Sequence, residues 1–230
     1  MNACAAAATT VHSLPYSAPP DTGLDVVHAD AALLVLNKPG GLLSVPGRGP
    51  GKDDCLARRA QAVYPDALIV HRLDMETSGL IVLARGAEMQ RRLSAAFQSR
   101  QVDKGYVAVV DGRLAEAAGT IDLPLVADWP NRPRQKVDHE LGKPSLTRWR
   151  RLAYDPAQDA TRVALAPETG RSHQLRVHLL ALGHPILGDA LYAPPAAQAK
   201  APRLLLHADT LAFAHPQNGA PLAFACPAPF

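Results

Sequence analysis

Apolar residues along this 230-residue chain fall in short runs, several rich in β-branched side chains: 33–36, 67–70, 80–83, 106–110, 145–149, 161–165, 203–206 and 211–213. Most are separated by Gly, Pro, Asn or Asp, so each predicts a strand closed by a turn. Spacing of three and four, the mark of a helix, is confined to about 53–63, 87–100 and 171–182. Many strands with few, unevenly placed helices predict an α+β domain. Its sheet should be mixed but largely antiparallel rather than a βαβ array. Residues 1–22, rich in Ala, Thr and Pro and without a sustained period, read as a flexible tail ahead of one domain over 23–230. There is no internal repeat.

Composition narrows the function only slightly. Apolar residues make up 47% of the chain, enough to bury the core of one good-sized domain. Lys and Arg together number 24 against 21 Asp and Glu, and 18 of the 24 are Arg, the residue that grips phosphate bidentately and stacks on bases. That bias suits a nucleic-acid partner, although an Ala-and-Arg excess is also what a GC-rich genome produces. Cys4, Cys55 and Cys226 lie far apart, with no zinc-like spacing, so neither a disulfide framework nor a metal is expected. The start lacks a basic n-region, and no segment approaches the ~20 apolar residues of a membrane span. A cytoplasmic protein with no membrane association is expected.

Three segments concentrate chemistry. Asn37-Lys38-Pro39-Gly40-Gly41 must turn sharply after a strand and lacks the ending of a phosphate loop. His71-Arg72-Leu73-Asp74-Met75-Glu76-Thr77-Ser78-Gly79 puts charged residues on a loop held at both ends by predicted core strands, where catalytic groups are well placed. An ordinary turn, with Asp74 accepting from the Thr77 or Ser78 amide, fits the same spacing. In Thr169-Gly170-Arg171-Ser172-His173-Gln174-Leu175-Arg176-Val177-His178, a helix would put Arg171, Gln174 and His178 on one face beside a Leu175, Leu179, Leu182 stripe. That pattern serves an active-site wall or a plain amphipathic surface helix. Two further loops are stiff and basic: 44–52, with Arg48 and Lys52, and 127–142, with Arg132, Arg134 and Lys136 among prolines. They would suit phosphate contacts, or simply be solvated.

Together, in this order, the three segments and the later Gly183-His184-Pro185-Ile186-Leu187-Gly188-Asp189 resemble the RluA family of pseudouridine synthases, over about residues 24–230. Ser44-Val45-Pro46-Gly47-Arg48, Asp128-Trp129-Pro130-Asn131-Arg132-Pro133 and Ala201-Pro202-Arg203-Leu204-Leu205-Leu206-His207-Ala208 look like its short subgroup, which modifies both 23S rRNA and tRNA. Larger members carry an N-terminal S4 RNA-binding domain, for which 22 residues leave no room, so none is expected here.

The resemblance implies a single catalytic domain with flanking helices and long loops around a central cleft, and an isomerase that needs no cofactor and no metal. It breaks the N1–C1′ bond of uridine, turns the uracil and rejoins it through C5. Asp74 falls on the family's essential carboxylate, which attacks C1′ or C6 or acts as a base at C2′; the sequence does not choose among these. Arg171 falls on its basic partner, since a nearby guanidinium favours an ionised carboxylate. Tyr106 falls on the tyrosine that stacks on the base, and Leu175 on an apolar contact to the uracil. Arg72 would fill the space left by the flipped nucleotide, whose extrusion costs a few kcal/mol. Gln174, Arg176, Arg132 and Arg134 are further candidate substrate contacts. The expected partner is structured RNA, a 23S rRNA hairpin and a tRNA anticodon stem-loop, bound by a monomer. Three alternatives remain: a purely ribosomal synthase, a non-catalytic RNA-binding protein on the same fold, and a hydrolase using Asp74.

Overall fold

The computed structural model describes residues 16–230. Its strands are β1 (Val26–Ala29), β2 (Leu33–Lys38), β3 (Ala67–Ile69), β4 (Ser78–Arg85), β5 (Asp103–Asp111), β6 (Ala118–Asp122), β7 (Leu125–Ala127), β8 (Gln135–Val137), β9 (Leu146–Asp155), β10 (Ala160–Pro167), β11 (Leu206–Ala214) and β12 (Pro221–Ala225). The helices are α1 (Leu56–Val63), α2 (Gly86–Gln98), α3 (Gln174–Ala181) and α4 (Pro195–Ala199). Ten strands form one sheet, along the path β1-β2-β4-β11-β5-β10-β9-β6, with β3 beside β4 and β12 beside β11; β7 and β8 form a separate hairpin. Every pairing among the described strands is antiparallel except β4 with β11. The α+β architecture with a largely antiparallel mixed sheet is the one the spacing predicts.

That parallel contact joins the two antiparallel halves of the sheet. It is short, pairing His207 with Ser78 and Ala208 with Gly79. Ala208 in turn lies opposite Tyr106, and Tyr106 opposite Leu165, so one register row runs from the start of β4 across β11 and β5 to β10. Gly79, at φ +108°, permits the approach: a Cβ there would stand 2.3 Å from the Ala208 carbonyl oxygen. Buried clusters form on either side of the row, one around Leu34, Leu36, Ile81 and Leu83, another around Val163, Leu165, Leu175 and Ile186, and Tyr106 packs against both.

Amphipathic spacing explains α2, where Leu93 is buried and Met89, Ala96 and Phe97 pack beside it on the cluster of Leu80 and Val82, while Glu88 pairs with Arg92 on the outer face. It fails for α3. Residues 174–179 are all buried, and the helix starts only at Gln174, so Arg171 precedes it and Leu182, 37% exposed, caps it instead of completing an apolar stripe. The separate runs at 203–206 and 211–213 also need correction, because a single strand, β11, spans 206–214. β1, β6, β7, β8 and β12 were not expected; most are short, and their alternation has one face open to water.

The expected tail falls partly outside the described residues, which begin at Tyr16. From there to residue 22 the chain is irregular but tethered: the Tyr16 hydroxyl donates to Asp54 O at 2.9 Å, and Arg59 Nη2 donates to Pro19 O at 2.6 Å. No helix of the described residues is long and apolar enough to cross a membrane.

The close approach at the parallel seam leads to a direct expectation. Gly79→Ala puts a methyl group into the β11 backbone and forces a left-handed φ on a residue with a Cβ, so it should destabilise the fold by about 3 kcal/mol or more. Urea unfolding followed by circular dichroism measures this, and an unchanged midpoint would mean that the two strands can part without cost.

Candidate active site

The loop between β3 and β4 is pinned from beneath by the turn that follows β2. Lys38 is fully buried, and its Nζ donates to Pro39 O, Leu42 O and Met75 O at 2.8, 2.7 and 3.0 Å. Burial lowers its pKa to about 7, against the opposing charges of Glu76 and Asp74, and three carbonyl acceptors match the three N–H bonds of an ammonium. Gly41 N–H also donates to Met75 O, and Ser44 Oγ donates to Leu73 O while accepting from Leu73 N–H. At the loop's entry, burial holds the His71 pKa down to about 3, with help from the Lys104 charge. Its ring therefore stays neutral, stacked on Phe97, and its Nε2 accepts from Val82 N–H. The turn closes by Thr77 N–H donating to the backbone oxygen of Asp74, not to its side chain. The carboxylate is thus left out of the turn, pointing into a cleft lined by Arg72, Tyr106, Arg171, His173, Leu175 and Arg176.

Two groups from the start of α3 face this carboxylate. Arg176 Nη1 is 3.7 Å from Asp74 Oδ2, and His173 Nε2 is 4.0 Å from Oδ1. Arg176 is aimed by a second carboxylate: its Nε and Nη2 donate to the two oxygens of Asp189 at 2.7 and 2.5 Å, with both side chains almost wholly buried. Although burial works against the charge, the Asp189 bonds and the Asp189 and Asp74 charges raise the Arg176 pKa. Asp189 Oδ1 also accepts from the Leu191 and Tyr192 amides, which fix the carboxylate in turn.

His173 caps α3 in a left-handed conformation, φ 54°, unusual for a residue with a side chain. Its Nδ1 lies 2.7 Å from the Tyr192 hydroxyl, which accepts from Gln135 N–H, also at 2.7 Å. Burial raises the Tyr192 pKa to about 12, so the phenol keeps its proton. With Gln135 donating to its oxygen, the hydroxyl is disposed to donate to Nδ1, and the imidazole proton then sits on Nε2, toward Asp74. Burial, with the Arg176 and Arg72 charges, lowers the His173 pKa despite Asp74 and Asp189, which keeps the ring neutral.

Sequence reasoning placed some of these residues and misplaced others. Asp74, Tyr106, Leu175 and Arg72 meet at the cleft. Tyr106 is neutral, its pKa raised by burial and by the Asp74 charge. Arg72 is exposed and makes no ion pair among the described residues. Arg171 does not meet Asp74. It is exposed at the cleft rim with Nε 3.3 Å from Pro144 O, and Arg176 holds the position expected of it, because the helix begins three residues later than the spacing suggested. Arg176 is accordingly buried beside the carboxylate and unavailable as a surface phosphate contact. Gln174 is corrected as well: its Oε1 accepts from Thr169 Oγ1 and Arg171 N–H, and its Nε2 donates to Leu146 O and Thr147 Oγ1, so the amide is consumed internally. His178 likewise contacts Thr147 Oγ1 and Leu123 O. The face expected to line the cleft instead binds the helix to β9. Arg132 and Arg134 sit on the hairpin loop and do not line the cleft; they lie over Trp129 and Tyr192 respectively. His173, Asp189 and Tyr192 were not expected at the site; His173 and Asp189 lie within the segments named above, whereas nothing local marks Tyr192.

The family of RNA pseudouridylate synthases matches residues 32–181. The chain is 52% identical over 215 residues to the dual-specificity RNA pseudouridine synthase RluA of Escherichia coli strain K12, covering 94% of this chain and 98% of that one. It is 51% identical over 217 residues to the RluA of Pasteurella multocida, covering 94% and 99%. Among solved structures, human RNA pseudouridylate synthase domain containing 1 superposes with a TM-score of 0.76 at 28% identity, covering 90% of this chain and 84% of that one.

The geometry separates the two arginines sharply. Arg176→Lys keeps a charge but loses the fork that spans Asp189 and faces Asp74, and should lower kcat on RNA about a hundredfold or more. Arg171→Met should leave kcat within about tenfold of the unaltered protein; the reverse ranking in single-turnover assays would restore Arg171 as the partner. Tyr192→Phe removes only the hydroxyl that orders His173. It should lower kcat about tenfold with KM little changed, and a rise confined to KM would place Tyr192 in binding instead.

Proposed function

The chain belongs to the RNA pseudouridylate synthase family, and from that premise we propose that Asp74 is the carboxylate on which its isomerisation of uridine in RNA depends. The observation that carries this is the Asp74 side chain, excluded from its own turn yet fixed by a loop with three separate braces, and faced by Arg176 and a neutral His173. Isomerisation adds and removes no atoms, so an anchored anion beside the ribose, a flat contact for the uracil and an escape route from the stack are what the site must supply. Tyr106 and Leu175 bracket the uracil position from β5 and α3. Arg72, exposed at the mouth, extends toward the RNA and fills the stack behind the extruded nucleotide. Whether Asp74 attacks carbon or removes the C2′ proton, Arg176 serves as the fixed counter-charge. The hydrogen bonds that hold it are made by the chain's own residues.

The substrates we propose are a 23S rRNA hairpin and a tRNA anticodon stem-loop, modified in the cytoplasm by a single copy of the chain. Support comes from the dual-specificity relatives, half of whose residues are shared over nearly their full length. Two RNAs of different overall structure are handled by one site when the enzyme reads a local loop shape, which the cleft and the hairpin of β7 and β8 can span.

Asp74→Asn should fold and bind RNA nearly as before while forming no pseudouridine, and turnover by a verified mutant preparation would remove Asp74 from its assigned role. An isolated anticodon stem-loop should be modified nearly as well as whole tRNA, with affinity falling as salt rises. A stem-loop that stays inert while an rRNA fragment is modified would leave a purely ribosomal enzyme.

A further inference from the structure

Trp129 is the only exposed aromatic residue among those described, at 65% exposure, in a chain with few aromatics. It lies in the 3₁₀ turn Trp129–Asn131, at the tip of the β7–β8 hairpin. The turn is stiff: Asn131 N–H and Nδ2 donate to the Asp128 backbone and carboxylate oxygens, Arg134 N–H donates to Asn131 O, and Asp128 N–H to Arg134 O, all at 2.9–3.0 Å. The indole is therefore presented to solvent by a built support. The Arg132 guanidinium lies over the ring, 3.2 Å from its centroid. Neither Arg132 nor Arg134 has a carboxylate partner among the described residues, and Lys136, which pairs with Asp138, completes a cationic surround.

The hairpin is tied to the reacting end of the molecule. Leu125 of β7 packs with Val177 and Tyr192, and Gln135 N–H donates to the Tyr192 hydroxyl that contacts His173, 4.0 Å from Asp74. The hairpin and the Asp74 cleft are thus joined through Tyr192.

We propose that Trp129, with Arg132 on its ring, is a second base-binding site that stacks an unpaired base of the RNA loop carrying the target uridine. A flat π surface edged by cations complements a nucleobase together with its phosphates, and such stacking is tolerant of base identity. That tolerance fits an enzyme that accepts two RNAs. The inference rests on the RNA-modifying function, and a stem-loop the unaltered protein demonstrably modifies keeps the two questions apart.

Single-turnover rates on that stem-loop, followed against enzyme concentration, test it. Trp129→Ala should raise the half-saturating concentration roughly five- to a hundredfold, with the plateau rate changed far less, and Trp129→Phe should recover most of the loss. An abasic scan of the RNA loop should find one position, other than the target, where removing the base weakens the unaltered protein but not Trp129→Ala. RNA should also quench the exposed indole, whereas the buried Trp149 contributes a constant background. The proposal is overturned by an unchanged half-saturating concentration in Trp129→Ala, by additive losses at every abasic position, or by indole fluorescence that does not respond to bound RNA.

Discussion

Two residues of parallel pairing hold the sheet's halves together, and nearly everything at the cleft depends on them. Strands β1 to β4 form one antiparallel unit, and β5, β6 and β9 to β12 another; among the described residues their only strand pairing is His207 with Ser78 and Ala208 with Gly79. The loop carrying Asp74 ends where this contact begins, and Tyr106 lies across from Ala208 in the same row. A carboxylate from one unit and a tyrosine from the other therefore meet without either being on a long, mobile connection. Side chains brace the seam too: Ser78 Oγ contacts His207 Nδ1 at 2.9 Å, and His207 Nε2 contacts Cys226 O.

Within that frame the charges are organised by burial. An arginine as enclosed as Arg176 would be strongly destabilising alone, and Asp189 compensates it with two hydrogen bonds of ideal fork geometry. Once paired, the guanidinium still has Nη1 directed at Asp74, so one buried cation serves a structural carboxylate and a cleft-facing one. The difference in environment separates their roles. Asp189 is sealed and hydrogen-bonded at both oxygens, while Asp74 retains access to solvent. Removing Asp189 would leave a buried, still charged Arg176 free to swing onto Asp74, so the sealed pair fixes the geometry of the cleft-facing one.

The strands with two buried faces, β2 and β4, were legible in the sequence because an uninterrupted apolar run has few other outcomes. The charged loop between buried runs was legible for the same reason, and with it Asp74. Arg171 and Arg176 could not be ranked by spacing, since the boundary of α3 is set by the left-handed His173 and by the side chain of Gln174, which bonds Thr169 and the Arg171 amide ahead of the helix. Periodicity assumed a helix with one wet face; tertiary contacts with β9 made both faces dry, turning Gln174 and His178 inward. Tyr192 was illegible because its partners, Gln135 and His173, are 57 and 19 residues away and reach it only through the completed fold.

That long-range tyrosine also explains how a basic loop and a carboxylate can act as one surface. A loop that merely supplied positive charge would need no defined position, since phosphate attraction acts over about a Debye length, roughly 8–10 Å in ordinary salt. The hairpin instead has its own closed turn, an apolar anchor at Leu125 and a hydrogen bond into Tyr192, and each of these restricts where Arg132 and Arg134 can stand. Ordering long side chains costs conformational entropy, which a site gains from only if the partner's shape is equally defined. A placed cationic loop therefore suits a partner of defined shape better than a diffuse anionic one. It also reaches the His173 side of the cleft: Gln135 N–H donates to the hydroxyl that contacts His173 Nδ1, and His173 Nε2 faces Asp74, so the cationic loop and the imidazole are held by one run of contacts.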